Sequence, residues 1–210
     1  MIRVLIADDH AVVRRGVSQI LSEVPDIFAA GEASTGQEVL QAIRESEYDV
    51  VILDIGMPEG SGIETLNQLR SLKPEMPILI FSIYPEEQYA IRTLKAGAAG
   101  YVTKDRASEE LVTAIRKVFQ GGKYITHSLA ERLAAELGGE IEGEPHQSLS
   151  DREFQVMCFI ATGNTVTDIA NELSLSVKTI STYRTRILEK LDLRNNAEII
   201  RYALKHGLVD

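Results

Sequence analysis

Residues 49–54 read DVVILD, in which Asp54 closes a run of four branched apolar side chains. A short apolar run without polar alternation is typical of a strand buried on both faces, as in a parallel sheet. Four more apolar runs of strand length occur in the first part of the chain, namely RVLIA (3–7), IFAAGEA (27–33), PILIFS (77–82) and GYVT (100–103). The sequence therefore predicts five buried strands.

Helical patterns separate these runs. After Asp9, apolar side chains recur at helical spacing at Val13, Val17, Ile20, Leu21 and Val24. Thr35 and Glu38 have the spacing of a capping box, which marks the start of another helix. Strands that alternate with helices through short connections predict an α/β fold with a doubly wound, five-stranded parallel sheet.

The last part of the chain has no strand pattern. Helix starts are indicated by Ser150 with Glu153, Thr165 with Asp168, Ser176, and Asn195 with Glu198. These caps predict a small all-α domain of four helices. We expect three parts: a first domain at 1–120, a linker with one short helix (SLAERLAAEL) at 121–147, and the helical domain at 148–210.

Charge is distributed unevenly between these parts. The 210 residues carry a net charge of -9, and residues 1–144 contain 14 Lys and Arg against 23 Asp and Glu. Residues 145–210 contain 8 of each, and the balance turns positive between Ser176 and Arg194. The negative net charge argues against a protein that mainly coats nucleic acid, whereas a local basic stripe permits a specific contact.

Cysteine content and hydropathy exclude several further classes. Cys158 is the only cysteine, which rules out an intrachain disulfide and a cysteine-rich zinc site, and its apolar neighbours predict a core position. The apolar runs are much shorter than the roughly 20 residues that span a bilayer. We therefore expect a cytoplasmic protein that makes no contact with a membrane.

Polar side chains stand at the carboxyl ends of four predicted strands. Asp8 and Asp9 follow the first, Asp54 ends the third, Ser82 ends the fourth and Lys104 follows the fifth. In a doubly wound sheet these ends lie at one edge, where ligands bind. Three converging carboxylates would repel one another unless a hard cation such as Mg²⁺ joined them. Taken singly, each acid could instead be a helix cap, and Ser82 or Lys104 a surface residue.

Residues 1 to about 120 resemble the receiver domain of bacterial two-component response regulators, which has a flavodoxin-like fold. The matching stretches are LIADDH, VILDIGMPEGSGIE, ILIFS and AGAAGYVTKD. The resemblance implies that Asp54 is the phosphoacceptor. It implies a Mg²⁺ site formed by Asp8, Asp9, Asp54 and the carbonyl of Gly56, and a phosphoryl contact from Lys104.

The same resemblance implies a conformational switch at Ser82 and Tyr101. Phosphorylation would draw the Ser82 hydroxyl inward, and Tyr101 would turn from solvent into the core. The remodelled surface would comprise a helix at about 86–96, the fifth strand and a helix at about 108–119. Tyr101 could alternatively be a half-exposed strand residue without a signalling role.

The segment from Ser176 to Leu191, wound as a helix, separates apolar from basic and hydroxyl side chains. The predicted apolar face contains Val177, Ile180, Ile187, Leu188 and Leu191. The predicted DNA contacts on the rest of the helix are Lys178, Thr179, Ser181, Thr182, Thr185, Arg186 and Lys190. Such a face suits the phosphates and base edges of a major groove, although a solvated bundle helix is the alternative. Arg184 falls on the apolar side, where we expect it to pair with a carboxylate of a preceding helix, for example Glu153.

From about Leu149 to Leu208 the chain resembles the LuxR-type helix-turn-helix of NarL/FixJ-class regulators. The resemblance rests on SLSDREFQVMCFIATGNTVTDIANELSLSVKTISTYRTRILEKLDL and the closing ALKHGL. The two resemblances together imply a transcriptional regulator, not an enzyme, that a histidine kinase or a phosphotransfer protein phosphorylates. They also imply a double-stranded DNA operator and a homodimer on activation.

Two other functions compete with this one. A dimer could bind DNA independently of phosphate, with the first domain serving only for dimerisation. Less favoured is a Mg²⁺-dependent phosphatase with Asp54 as its nucleophile, because that reading shows no second general acid and leaves the last 60 or so residues unexplained.

Overall fold

A computed structural model describes residues 1–57, 62–137 and 145–209. The chain forms two compact units, Met1–Ala130 and Glu131–Asp210. In the described part of the chain, no helix combines the length and the apolar character needed to cross a bilayer.

The first unit is built on one parallel sheet. Its strands are β1 (Ile2–Ala7), β2 (Ile27–Ala33), β3 (Val50–Leu53), β4 (Ile78–Ser82) and β5 (Gly100–Thr103). Their spatial order is β2-β1-β3-β4-β5, and every neighbouring pair is parallel. The register aligns Ala7 with Leu53, and Ser82 with Thr103, so the carboxyl ends of β1, β3, β4 and β5 lie side by side. The predicted doubly wound, five-stranded fold is confirmed.

Five helices accompany the sheet. They are α1 (Ala11–Ser22), α2 (Gly36–Glu45), α3 (Gly62–Leu72), α4 (Glu86–Lys95) and α5 (Ala107–Phe119). Their apolar stripes are buried, as Val17 and Leu21 of α1 and Leu111 and Ile115 of α5 show. These side chains join Ile6 and other strand residues in one core, and apolar burial on this scale is the main stabilising contribution.

The segment after α5 differs from its predicted role as a linker. Residue Tyr124 forms a parallel bridge to Gly100, and its N–H donates to the Ala99 carbonyl at 2.9 Å. The Lys123 ammonium donates to the Ala98 carbonyl at 2.7 Å. A side chain at Gly100 would place a Cβ 2.6 Å from the Tyr124 carbonyl oxygen, so the close approach requires glycine. Residues 121–126 therefore belong structurally to the first unit.

The predicted short helix is present as α6 (His127–Leu137). The remainder of the predicted linker at 138–144 lies outside the described residues, and a short 3-10 turn, Pro145–Ser148, follows it.

The second unit contains the four predicted helices. They are α7 (Asp151–Ala161), α8 (Val166–Glu172), α9 (Val177–Lys190) and α10 (Asn196–Lys205). The hydroxyl or amide side chain of each predicted cap accepts from the backbone three residues on, and the caps are Ser150, Thr165, Ser176 and Asn195. Helix α7 packs against α9 and α10, and Cys158 is buried as expected.

Candidate functional site

The site in the first unit lies where four parallel strands end. Asp8 follows β1, Asp54 follows β3, Ser82 is the last residue of β4, and Lys104 follows β5. The sheet order makes these strands consecutive neighbours, so residues almost 100 positions apart in sequence meet at one edge. Asp8, Asp54 and Ser82 are all buried.

Lys104 forms the centre of this cluster. Its Nζ lies 2.6 Å from Asp8 Oδ2 and 2.6 Å from Asp54 Oδ2, and its side chain is 11% exposed. Burial alone would lower the pKa of Lys104, but the Asp54 and Asp8 carboxylates outweigh it and raise that pKa. The lysine therefore remains protonated and holds two carboxylates together.

The environment of Asp54 disfavours its charge. Burial raises the pKa of Asp54, and the adjacent Lys104 ammonium offsets this only in part. The Gly56 N–H donates to Asp54 Oδ1 at 2.9 Å, and a Cβ at Gly56 would lie 3.4 Å from both carboxylate oxygens. Asp54 thus combines a desolvated carboxylate with a neighbour that places no side chain against it.

The acidic side chains can hold a metal ion. Asp8, Asp9, Asp54 and His10 each offer one ligand atom, and these atoms all lie within 4.8 Å of one another. The buried Oδ1 atom of Asp9 lies 3.0 Å from the His10 Nδ1 atom. Carboxylate oxygens suit hard divalent cations, so these residues fit the predicted metal. His10 is not among the ligands predicted from sequence, although its position directly after two predicted ligands could have indicated it.

The Ser82 and Tyr101 side chains are connected through the loop after β4. The Tyr84 N–H donates to Ser82 Oγ at 3.3 Å, and the Tyr101 hydroxyl donates to the Tyr84 carbonyl at 2.9 Å. Tyr101 is only 1% exposed, which differs from the expected solvent-facing resting position. A buried tyrosine needs a partner for its hydroxyl, and the Tyr84 carbonyl provides it.

Helix α9 of the second unit carries the predicted nucleic-acid contacts. Lys178, Ser181, Thr182, Thr185 and Arg186 are exposed, whereas Thr179 is half-buried. The hydroxyls of Ser181, Thr182 and Thr185 donate to carbonyls one turn earlier, at 2.8 to 3.0 Å. These bonds fix the hydroxyl oxygens along one exposed surface of the helix. Val177, placed on the apolar face by the sequence, is instead 49% exposed at the start of the helix.

Two cations of α9 have partners other than those expected. The predicted pair between Arg184 and Glu153 is wrong, because the Arg184 Nε donates to Asn196 Oδ1 at 2.5 Å. Lys190 takes that role, with its Nζ 2.7 Å from Glu153 Oε2 and 3.2 Å from the Ser148 carbonyl. Lys190 lies one and a half turns beyond Arg184, where it reaches the start of α7. The positive charge of Lys190 is thus paired with an acid of the same domain.

Comparison with known families supports this division of the chain. Residues 4–116 match the response regulator receiver domain, and residues 147–203 match the bacterial regulatory proteins of the luxR family. The response regulator GacA of Pseudomonas aeruginosa is 38% identical over 100% of this chain and 99% of its own length. The response regulator UvrY of Escherichia coli is 36% identical over 99% of this chain and 96% of its own.

A solved structure shares both parts. RcsB from Salmonella enterica serovar Typhimurium, bound to the promoter rprA in the presence of the phosphomimetic BeF₃⁻, is 25% identical with a TM-score of 0.64. The match covers 96% of this chain and 97% of that one. The two family matches agree with the relatives that align over the whole chain, which are response regulators. The chain therefore belongs to the two-component response regulators of the NarL/FixJ class, which are DNA-binding transcriptional regulators and not enzymes.

Proposed function

We propose that this regulator is switched by transfer of a phosphoryl group to Asp54, and that phosphorylation controls how α9 engages double-stranded DNA. The donor would be a sensor histidine kinase or a phosphotransfer protein. The observation that carries the proposal is the position of Asp54, a buried carboxylate between the Gly56 N–H and the Lys104 ammonium. We further propose that it acts in the cytoplasm and forms a homodimer on activation.

The chemistry follows from these contacts. An Asp54 oxygen would attack the phosphorus of a phosphohistidine, the P–N bond would break, and the imidazole would leave with the bonding electron pair. Asp8, Asp9, Asp54 and the Gly56 carbonyl would hold Mg²⁺, which neutralises charge on the phosphoryl oxygens when bound. Lys104 would exchange its contact with Asp54 for a charge-assisted hydrogen bond to the phosphoryl group.

The loop after β4 offers a route from this edge to the surface. Tyr84 binds Ser82 through its N–H and Tyr101 through its carbonyl, and its ring lies 4.9 Å from that of Tyr89 in α4. A phosphoryl oxygen that recruits the Ser82 hydroxyl would alter this loop and with it α4. The expected signalling surface then consists of α4, β5 and α5.

The second unit would bind DNA through α9. We propose Lys178, Thr179, Ser181, Thr182, Thr185 and Arg186 as its contacts, and we leave Lys190 with Glu153. Exposed hydroxyl and basic side chains on one helix suit phosphate positioning and base readout in the major groove. The similar protein RcsB has been solved bound to a promoter, which supports binding of DNA by this chain.

The test combines a modification assay with a DNA-binding assay. The full chain is incubated with acetyl phosphate and Mg²⁺, phosphorylation is measured by intact mass, and affinity for promoter fragments is measured by fluorescence anisotropy. We expect phosphorylation of the wild type and of the control Asp105→Asn, none in Asp54→Asn, and tighter DNA binding only where phosphorylation occurs.

Two outcomes favour the competing functions. Equal DNA affinity of wild type and Asp54→Asn under all conditions would support phosphate-independent binding. Continuous release of phosphate from small phosphomonoesters at enzyme-like rates would support a phosphatase.

A further inference from the structure

We propose that His10 is an additional ligand of the metal site and makes it prefer transition-metal ions, such as Mn²⁺, Co²⁺ and Ni²⁺, to Mg²⁺. This inference rests on the metal site of the proposed function. His10 follows the two metal-binding acids directly and is the residue that precedes α1.

The imidazole lies where a ligand of the same ion would lie. Its Nδ1 is 3.0 Å from Asp9 Oδ1 and 3.3 Å from Asp8 Oδ1. Octahedral metal–ligand bonds of about 2.1 Å separate adjacent ligands by about 3 Å and opposite ligands by about 4.2 Å. The contacts of His10 with Asp9 and Asp8 are close to the adjacent-ligand separation. The ligand atoms of His10, Asp8, Asp9 and Asp54 lie within 4.8 Å of one another, so small side-chain shifts would bring all four to one ion.

The backbone fixes His10 while its ring remains available. Its N–H donates to Asp8 Oδ1 at 2.8 Å, and its carbonyl accepts from Val13 at 3.0 Å and Arg14 at 3.2 Å. The side chain makes no capping hydrogen bond to α1, and it is 66% exposed. The imidazole does not cap its own helix and lies against the Asp8 and Asp9 carboxylates, so it can join them around a metal ion.

Lys104 does not compete with His10 for the same oxygen atoms. Lys104 contacts the Oδ2 atoms of Asp8 and Asp54, whereas His10 lies beside the Oδ1 atoms of Asp8 and Asp9. The lysine and the imidazole therefore approach the cluster through different oxygens. A metal and the Lys104 contact are compatible on this side of the site.

The ligand chemistry sets the preference. Mg²⁺ binds oxygen ligands and gains little from an imidazole nitrogen, whereas Mn²⁺, Co²⁺ and Ni²⁺ bind imidazole with affinities that rise in that order. A site of carboxylates alone would show smaller differences in affinity between these ions and Mg²⁺. The ratio of Ni²⁺ affinity to Mg²⁺ affinity therefore reports whether the His10 nitrogen binds the ion.

The experiment is calorimetric titration of the full, tag-free chain with Mg²⁺, Mn²⁺, Co²⁺ or Ni²⁺ at one fixed pH. The variants are His10→Ala, His10→Asn and the control His127→Ala, which removes an exposed histidine outside the cluster. We expect both His10 variants to lose Ni²⁺ affinity by about tenfold or more while Mg²⁺ affinity changes less than about threefold. The control should match the wild type.

Visible absorption of bound Co²⁺ gives a second readout, because loss of a nitrogen ligand shifts its d–d bands. An unchanged spectrum and unchanged Ni²⁺ affinity in His10→Ala would overturn the inference. A rise in Mg²⁺ and Ni²⁺ affinity together would also overturn it, since His10 would then be a competing cation. Failure of Mg²⁺ to bind the wild type at all would instead contradict the proposed function.

Discussion

The two candidate sites are built in opposite ways. The cluster around Asp54 collects charged side chains from the ends of three strands and a buried hydroxyl from a fourth, and the ion pairs of Lys104 connect residues 50 positions apart or more. The exposed face of α9 comes from one helix, and its hydroxyls bond to carbonyls of the same helix. The Asp54 cluster therefore forms only when the strands are assembled into the sheet, whereas the exposed face of α9 forms within a single helix.

This difference predicts different responses to substitution. Buried charges in the first unit depend on each other, so removing one leaves its partners uncompensated. Exposed charges on α9 are surrounded by water, so removing one changes binding and leaves folding almost unaffected. Four predictions, in order of decreasing effect, test this contrast.

Lys104→Met should have the largest effect. It leaves Asp8 and Asp54 buried beside each other without a counter-charge, which we expect to cost roughly 3–5 kcal/mol of folding free energy. Hydrogen exchange measured by mass spectrometry should show lost protection in β1 and β3 and unchanged protection in α7. Mg²⁺ should restore part of the loss. The exposed Lys73→Met serves as control, and equal protection in both variants would contradict the buried-pair argument.

Lys178→Ala and Arg186→Ala should weaken binding to generic double-stranded DNA several-fold at low salt, about 1 kcal/mol each. Each should also reduce the slope of log affinity against log salt concentration by about one. Lys190→Ala should leave that slope unchanged, because its ammonium is paired with Glu153. Fluorescence anisotropy over a salt series makes the measurement, and a reduced slope in Lys190→Ala would place that residue in the DNA contact after all.

Ser150→Ala tests a local contact inside the second unit. The Ser150 hydroxyl accepts from the Glu153 N–H, while the Glu153 carboxylate accepts from the Ser150 N–H at 2.7 Å. Loss of the hydroxyl should cost about 1 kcal/mol in thermal or urea unfolding. Ser181→Ala on the exposed face of α9 should cost almost nothing. The comparison fails if the two variants lose equal stability.

Arg116→Gln should have the smallest effect on stability. It tests whether burial, and not separation along the sequence, decides how much an ion pair contributes. Arg116 binds Asp26 through two hydrogen bonds of 2.7 and 2.9 Å across 90 residues, but both side chains are exposed. The Arg116 hydrogen bonds lower the pKa of Asp26. The pair therefore stabilises above the unfolded pKa of Asp26 and loses that contribution as pH falls through the lowered value. NMR titration of Arg116→Gln should show the Asp26 pKa rising toward its ordinary value.

The sheet and the convergence of the strand-end residues could be predicted from sequence because each rests on a repeated pattern. Apolar runs located the strands of the parallel sheet, and the rule for parallel strands placed Asp8, Asp54 and Lys104 at one edge. Capping residues located the helices of the second unit for a similar reason, since the spacing between cap and acid is local.

Individual side-chain partners could not be predicted in the same way. A helical wheel assigns a face, but Arg184 and Lys190 are separated by their position along α9, which decides that only Lys190 reaches Glu153. Tyr101 is buried with its hydroxyl bonded to the Tyr84 carbonyl, which lies in the loop after β4 and is 17 positions away in sequence. The roles assigned to the site residues remain predictions.

The bridge between Tyr124 and Gly100 affects how this protein should be divided for experiments. β5 is an outer strand of the sheet, and unpaired outer strands promote aggregation. A fragment cut after residue 120 would leave the Ala99 carbonyl without its donor, whereas a fragment that ends after Ala130 retains it. Chimeras that exchange output domains should therefore place their junction beyond residue 130.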